Sequence, residues 1–190
     1  IQTVIDVTKD MKPWLTTMPS VRIEHASLMT DQMFAEIANS EMNYALVTQP
    51  IFFFAEDESY RHYLSPAQFK LAYRVKTMLN SQAMLGLSSD APCTPWAEPD
   101  SPFYSIYAAV TRKAANDDVV NAEEAITVPQ AILGYTRDGA KIGGFDDNGT
   151  LEVGKAADFV ILNDDIFTVP HDDLKNIHVN ETWMARKRVK

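Results

Sequence analysis

Apolar positions along the chain switch between two periods, and the switches predict the elements. Ile1, Val4, Ile5, Thr8, Met11 and Leu15 recur at helical spacing, which predicts an amphipathic helix over Ile1–Trp14, closed by the loop Thr16-Thr17-Met18-Pro19. Val21–Ala26 is a short strand bounded by turn signals, and Thr30 then caps a helix with Met33, Phe34 and Ile37 on one face. Tyr44–Pro50 is an apolar run of strand length without polar alternation, the pattern of a strand buried on both faces. Ser65-Pro66 opens a helix whose face is Phe69, Ala72, Val75 and Leu79, and Ala83–Leu87 is a third buried run. Ser101-Pro102 begins a helix carrying Phe103, Ile106, Tyr107 and Val110, and Thr127-Val128-Pro129-Gln130 reads as a capping box before another, through Ile132 and Tyr135. Strands alternating with helices predict βαβ units and a parallel sheet. After Gly154 the rhythm changes to two strand-like segments, Asp158–Asn163 and Ile177–Met184, with no helix between them, which predicts a small separate β layer.

Composition narrows what this pattern can be. The chain has 190 residues, room for one domain or one domain and a small appendage but too short for a complete large enzyme barrel. At 46% hydrophobic and 23% charged residues it has a core to bury, which excludes disorder and low complexity. Lys and Arg number 17 against 26 Asp and Glu, a net charge of −9 that repels nucleic-acid backbones and anionic membranes and leaves a small molecule or a protein as partner. Cys93 is the single cysteine, so no internal disulfide forms, and a cytoplasmic location is expected. No run approaches the ~20 apolar residues of a membrane span, and the first residues do not have the charged-then-apolar pattern expected of a leader. It begins without Met and already in helical spacing, so a truncated polypeptide is expected.

In parallel α/β sheets, ligands gather at the carboxyl ends of the strands. The first predicted strand ends in Glu24-His25-Ala26, the second in Thr48-Gln49-Pro50, and the third in Ser88-Ser89-Asp90-Ala91-Pro92. An imidazole, an amide and a carboxylate at the same end of neighbouring strands are groups that can bind a metal and move a proton. Each also has an ordinary structural use: a hydrogen-bonded histidine at His25, an Asp turn at Asp90, and a similar role for Gln49 before Pro50. His62, His171 and His178 lie in polar stretches without ligand spacing, and Cys93 has no partner motif, although its nearness to Asp90 leaves a place in the pocket open. The aromatic run Ile51-Phe52-Phe53-Phe54 is expected in a loop over a strand end, lining a pocket or filling a core. Phosphate-cradling GxGxxG and GxxxxGKS/T, zinc-binding HExxH and paired CxxC motifs do not occur.

Taken in order, Arg22-Ile23-Glu24-His25-Ala26-Ser27, Thr48-Gln49-Pro50, Leu87-Ser88-Ser89-Asp90-Ala91-Pro92, Ala125-Ile126-Thr127 through Tyr135-Thr136, and Gly149-Thr150-Leu151-Glu152-Val153-Gly154-Lys155-Ala156-Ala157-Asp158-Phe159-Val160-Ile161-Leu162 resemble the carboxyl-terminal part of the amidohydrolase superfamily. The G-x-L-x-x-G-K-x-A-D-x-V-x-L stretch is specific to amidohydrolases in general. The segments RIEHAS and SSDAP narrow the resemblance to the amidohydrolase-3, YtcJ-like, branch.

The resemblance implies an α/β fold: the carboxyl-terminal part of a (β/α)8 TIM-like barrel, strands six to eight with their helices over residues 1–145, and strands of an accompanying β-sandwich over 146–190. It implies a divalent metal, zinc above others, with His25 and Asp90 as metal ligands. Asp90 is also implied as the catalytic base, then the acid to the leaving amine, and Gln49 as a substrate contact. The implied activity is hydrolysis of a non-peptide C–N bond, in an amide or cyclic amide, by a metal-activated water. The branch's strand-one H-x-H pair, strand-four bridging ligand and strand-five histidine have no counterpart here. A catalytic zinc generally takes three protein ligands, so the expectation is that this polypeptide alone binds metal poorly and turns over nothing. A missing amino-terminal half or a homo-oligomer would complete it. The rival expectation is a non-catalytic partial barrel, a regulatory or interaction module whose open edges require an oligomer or an obligate partner.

Overall fold

The computed structural model describes residues 1–93 and 98–190. Its centre is a parallel sheet of β1 (Val21–Ile23), β2 (Tyr44–Thr48) and β3 (Met84–Leu87), in the spatial order β1-β2-β3. Val21, Arg22 and Ile23 pair with Tyr44, Ala45 and Leu46, and Ala45 through Thr48 pair with Met84 through Leu87. All five residues of β2 are buried, as its unalternating sequence predicts for a strand covered on both faces.

Helices make the crossovers. Between β1 and β2 runs α2 (Asp31–Ala38), which follows α1 (Gln2–Thr8) in the chain; the Thr30 hydroxyl oxygen accepts from the N–H of Met33 and caps it. Between β2 and β3 run α3 (Pro50–Tyr63), α4 (Pro66–Phe69) and α5 (Val75–Leu79). The third N–H of α5, on Thr77, is satisfied from outside the helix. The buried Glu124 carboxylate accepts from it at 2.8 Å and from the Thr77 hydroxyl at 2.6 Å. After β3 come α6 (Pro102–Thr111), α7 (Val128–Tyr135) and α8 (Arg137–Gly143). Gly86 of β3 lets α8 lie close: a Cβ there would stand 2.9 Å from Ile142 Cδ1. Most of α6 is buried, and Leu174, from a short 3-10 turn over His171–Asn176, closes over it within the same core.

Arg112 ends α6 in a left-handed conformation (φ 59°) and is completely buried, its Nε donating to the carbonyl of Val120 at 2.9 Å and its guanidinium lying 4.4 Å from the Phe53 ring centroid. Burial pushes its pKa down to about 10 against the opposing pull of Glu124 and Glu123.

A second, antiparallel sheet joins β4 (Phe159–Leu162), β5 (Val179–Met184) and β6 (Lys187–Arg188) in that order, with only the 3-10 turn and loops between β4 and β5. This is the small β layer expected after Gly154.

Four boundaries differ from the sequence reading, each for a local reason. The first helix stops at Thr8 rather than Trp14. Pro13 has no N–H and disfavours helix in the residue before it, and the Ser20 hydroxyl instead takes the N–H groups of Trp14 and Leu15. The first strand ends at Ile23, short of Ala26, because His25 turns left-handed (φ 51°). Ile51–Phe54 is helix, not loop: Pro50 occupies the first helical turn of α3, and Ile51, Phe53 and Phe54 point into the core. The predicted helix from Ser65 to Leu79 is two, broken where Asn121 Nδ2 donates to the carbonyls of Phe69 and Ala72 and Tyr73 turns left-handed (φ 51°).

The predicted capping box at Thr127 is present: Gln130 Oε1 accepts from the Thr127 N–H at 2.8 Å, and the Thr127 hydroxyl accepts from the Gln130 N–H at 3.4 Å. Thr127→Ala removes one half of it and is expected to cost about 1 kcal/mol. In a chain of this size that lowers Tm by about 2–4 °C, measurable by circular dichroism melting.

Candidate functional site

The carboxyl ends of β1 and β3 lie on either side of β2, and each is followed within a few residues by a polar side chain on a left-handed backbone, His25 (φ 51°) and Asp90 (φ 52°). Asp and His are among the residues that tolerate this conformation, and backbone hydrogen bonds hold both turns. The N–H of Ala26 donates to Val47 O at 3.1 Å, and Tyr73 N–H donates to Ser27 O at 2.8 Å. On the other side Ser88 N–H donates to Thr48 O at 3.2 Å and Cys93 N–H to Asp90 O at 2.8 Å. The outcome is that His25 Nε2 stands 3.5 Å from Asp90 Oδ2, with 53% and 36% of the two side chains exposed. Phe52, in the first turn of α3, stacks on the imidazole with centroids 6.1 Å apart and planes 21° from parallel.

Gln49 lies between these loops but is almost fully buried, at 1% exposure. Its Nε2 donates to Ser88 Oγ at 2.9 Å, while its Oε1 and the neighbouring Thr48 Oγ1 are buried without a hydrogen-bond partner among the described residues. Glu24, also at the end of β1, pairs at 2.7 Å with Arg22 on the exposed side of the strand. His62, His171 and His178 are exposed and dispersed, as their polar surroundings predict. Cys93 is exposed three residues beyond Asp90. Trp96 lies outside the described residues. Phe52 belongs to the aromatic run expected to line a pocket or fill a core, but the sequence does not announce its stacking on His25, nor a role for Ser88. Both sit within the first turn after a buried strand, and that position is the signal by which they could have been found.

Two nitrogen and oxygen ligands of a tetrahedral zinc, each about 2.1 Å from the ion, are about 3.4 Å apart. The His25–Asp90 separation of 3.5 Å therefore suits a shared divalent cation, and an imidazole with a carboxylate is a donor set zinc accepts. The pair supplies two ligands; no cluster of three or more His, Cys, Asp or Glu side chains occurs among the described residues. A cavity of about 830 Å³ opens elsewhere, between α7–α8 and the β4–β5 layer, lined by apolar groups such as Tyr135, Phe145, Phe159 and Trp183. It shares no residue with the strand-end site, and the carboxylate in its lining, Asp158, is already engaged by Asn148 Nδ2 and the Ala185 N–H. No helix among the described residues is long and apolar enough to cross a membrane.

Comparison with known proteins places the chain in a family. The chain is 25% identical over 186 residues to the N-substituted formamide deformylase of Arthrobacter pascens, covering 97% of this chain and 33% of that protein. It is 28% identical over 165 residues to the amidohydrolase homologue YtcJ of Bacillus subtilis strain 168, covering 85% of this chain and 30% of the relative. It thus spans about a third of the length of these curated relatives. Among solved structures, an uncharacterized metal-dependent hydrolase from Pyrococcus horikoshii superimposes with a TM-score of 0.68 at 30% identity, over 80% of this chain and 30% of that one. A Xanthomonas campestris adenosine deaminase with bound zinc shares the fold at a TM-score of 0.59 and 20% identity, over 90% of this chain and 37% of its own. Residues 7–189 match the model of the amidohydrolase family, and the chain belongs to that family.

Proposed function

We propose that this polypeptide carries part of the active site of a metal-dependent hydrolase that cleaves a non-peptide C–N bond, in an amide or cyclic amide, in a small molecule. The observation that carries the reading is the approach of His25 Nε2 to Asp90 Oδ2 at the carboxyl ends of β1 and β3. In this reading residues 1–145 are the last three βα units of a (β/α)8 barrel, and residues 146–190 belong to its companion β-sandwich. His25 and Asp90 hold a divalent ion, zinc by preference. Such an ion would supply Lewis acidity, lowering the pKa of a bound water towards neutrality. The Asp90 carboxylate takes the proton from the attacking water and returns it to the leaving amine nitrogen, and His25 fixes the site opposite. Gln49, buried between the two site loops with Oε1 unpartnered among the described residues, is assigned the substrate-binding role. The remaining ligands come from outside these residues, so the 190-residue chain alone is inactive. Its single exposed thiol, Cys93, suits a cytoplasmic setting.

Zinc titration of the chain, followed through its four histidine side chains by NMR, tests the metal pair. The expected result is that His25 alone among them shifts on addition of Zn²⁺, and that His25→Asn and Asp90→Asn each weaken binding at least tenfold. Asn is chosen because it tolerates the left-handed backbone of both positions. Equal shifts at all the histidines, or unchanged affinity in both variants, would overturn the assignment.

A further inference from the structure

The side chain of Gln49 is committed to a task that contact with a substrate does not explain. Its Nε2 is taken up by Ser88 Oγ at 2.9 Å, inside a protein layer that leaves the residue 1% exposed. We propose that Gln49 and Ser88 form a clasp across the ends of β2 and β3 that positions the His25–Asp90 pair. The inference rests on the reading of that pair as metal ligands.

The end of β2 is the anchor common to both site loops. Val47 O accepts from Ala26 N–H, next to His25, and Thr48 O accepts from Ser88 N–H, two residues before Asp90. Among the described residues the backbone bonds give the His25 loop two ties, the second from Tyr73 N–H to Ser27 O, but tie the Asp90 loop to β2 at one point. The Gln49–Ser88 bond adds a second point on the Asp90 side, and two points fix an orientation where one does not. This matters because Asp90 and His25 both depend on left-handed turns, a conformation that persists only where the surroundings over-determine it. Burial of Gln49 on its side of the link raises the cost of breaking it: the amide Nε2 would be left unsatisfied in a layer where, among the described residues, Gln49 Oε1 and Thr48 Oγ1 are already unpartnered. Gln49 and Ser88 are thus positioning residues. Groups that orient metal ligands from behind commonly change metal affinity 10- to 100-fold when removed.

The test compares Gln49→Met, which keeps the volume and removes the amide, Ser88→Ala, their double variant and Ser88→Thr, which keeps the hydroxyl. Two readouts are taken on the 190-residue chain: Zn²⁺ affinity from the His25 ring shifts on titration, which registers weak binding, and, without metal, the backbone chemical shifts of His25 and Asp90 that report the left-handed turns. The clasp predicts that Gln49→Met and Ser88→Ala each weaken Zn²⁺ binding about tenfold or more and shift the Asp90 backbone signals. The double variant should be no worse than either single one, and Ser88→Thr should stay near wild type. Unchanged affinity and shifts, additive losses, or a Ser88→Thr variant as impaired as Ser88→Ala would overturn it. If Gln49→Met does not fold, the half-buried Ser88 carries the comparison by itself. Should zinc binding prove independent of His25, the metal reading falls, while the metal-free shifts still decide whether the clasp exists.

Discussion

Asp90→Asn in the full-length protein is expected, on the hydrolytic function proposed above, to reduce kcat by about 10²–10⁴-fold, the contribution of a positioned general acid–base group, with further loss from a weakened metal site. The substitution is diagnostic because so little else changes. Asn has the shape of Asp and tolerates the same left-handed backbone, so the φ of 52° at this position carries little added strain. The hydrogen bond that closes the turn runs from Cys93 N–H to the backbone carbonyl of residue 90, and it survives the replacement. What disappears is the charge that faces His25 Nε2 at 3.5 Å and the ability to accept a proton from water. Asp90→Ala should give a comparable loss of turnover together with a lower Tm, since Ala is poorly suited to the left-handed turn. The measurement is kcat with melting temperature recorded on the same samples. A stable Asp90→Asn enzyme with full turnover would remove Asp90 from the chemistry.

The strand ends were legible in the sequence because burial writes itself plainly into short runs. Tyr44–Thr48 has no polar alternation and is buried at every position, and the residues directly after such runs were the natural place to look for chemistry. Capping residues were equally legible: Thr30, Ser65 and Thr127 each accept the expected backbone N–H through the side chain. What escaped was whatever depends on contact between distant segments. The turn at Tyr73 is made by Asn121 reaching back 52 and 49 residues to two carbonyls, which no local period announces. The depth of Gln49 depends on how α3 leaves β2, and Pro50 reads equally well as the end of a strand or the start of a helix. Its partner Ser88 lies 39 residues away. The aromatic run Phe52–Phe54 divides for the same reason. As helix rather than loop it sends Phe53 and Phe54 inward and leaves Phe52 half-buried against His25.

The stretch Gly149–Leu162, the longest segment that carries the sequence resemblance, has its physical job in the second sheet. Asp158 gathers the second sheet: its Oδ1 accepts from the Ala185 N–H in the β5–β6 turn at 2.8 Å, and its Oδ2 accepts from Asn148 Nδ2 at 2.5 Å. Gly149 brings that segment onto the α7–α8 junction. It has φ +90°, and a Cβ there would meet Ala140 Cβ at 2.6 Å, Thr136 O at 3.0 Å and Arg137 Cα at 3.1 Å. Two of these three neighbours are backbone atoms, which cannot swing aside. Gly154, five residues on, has a similar φ of +96°, yet nothing lies within 4 Å of its hypothetical Cβ. The pair therefore separates conformational strain from packing. Gly154→Ala bears only the backbone penalty, about 1–2 kcal/mol. Gly149→Ala bears that penalty plus overpacking of about 1–3 kcal/mol, for about 2–5 kcal/mol in all. For a chain of this size each kcal/mol moves Tm by about 2–4 °C, so Gly149→Ala should melt several degrees below Gly154→Ala in parallel thermal scans. Equal melting temperatures would mean that the α7–α8 junction yields to the added methyl and that the motif glycine is kept for its backbone freedom alone. A larger drop at Gly149 would show that this glycine also maintains the packing of its segment on the α7–α8 junction.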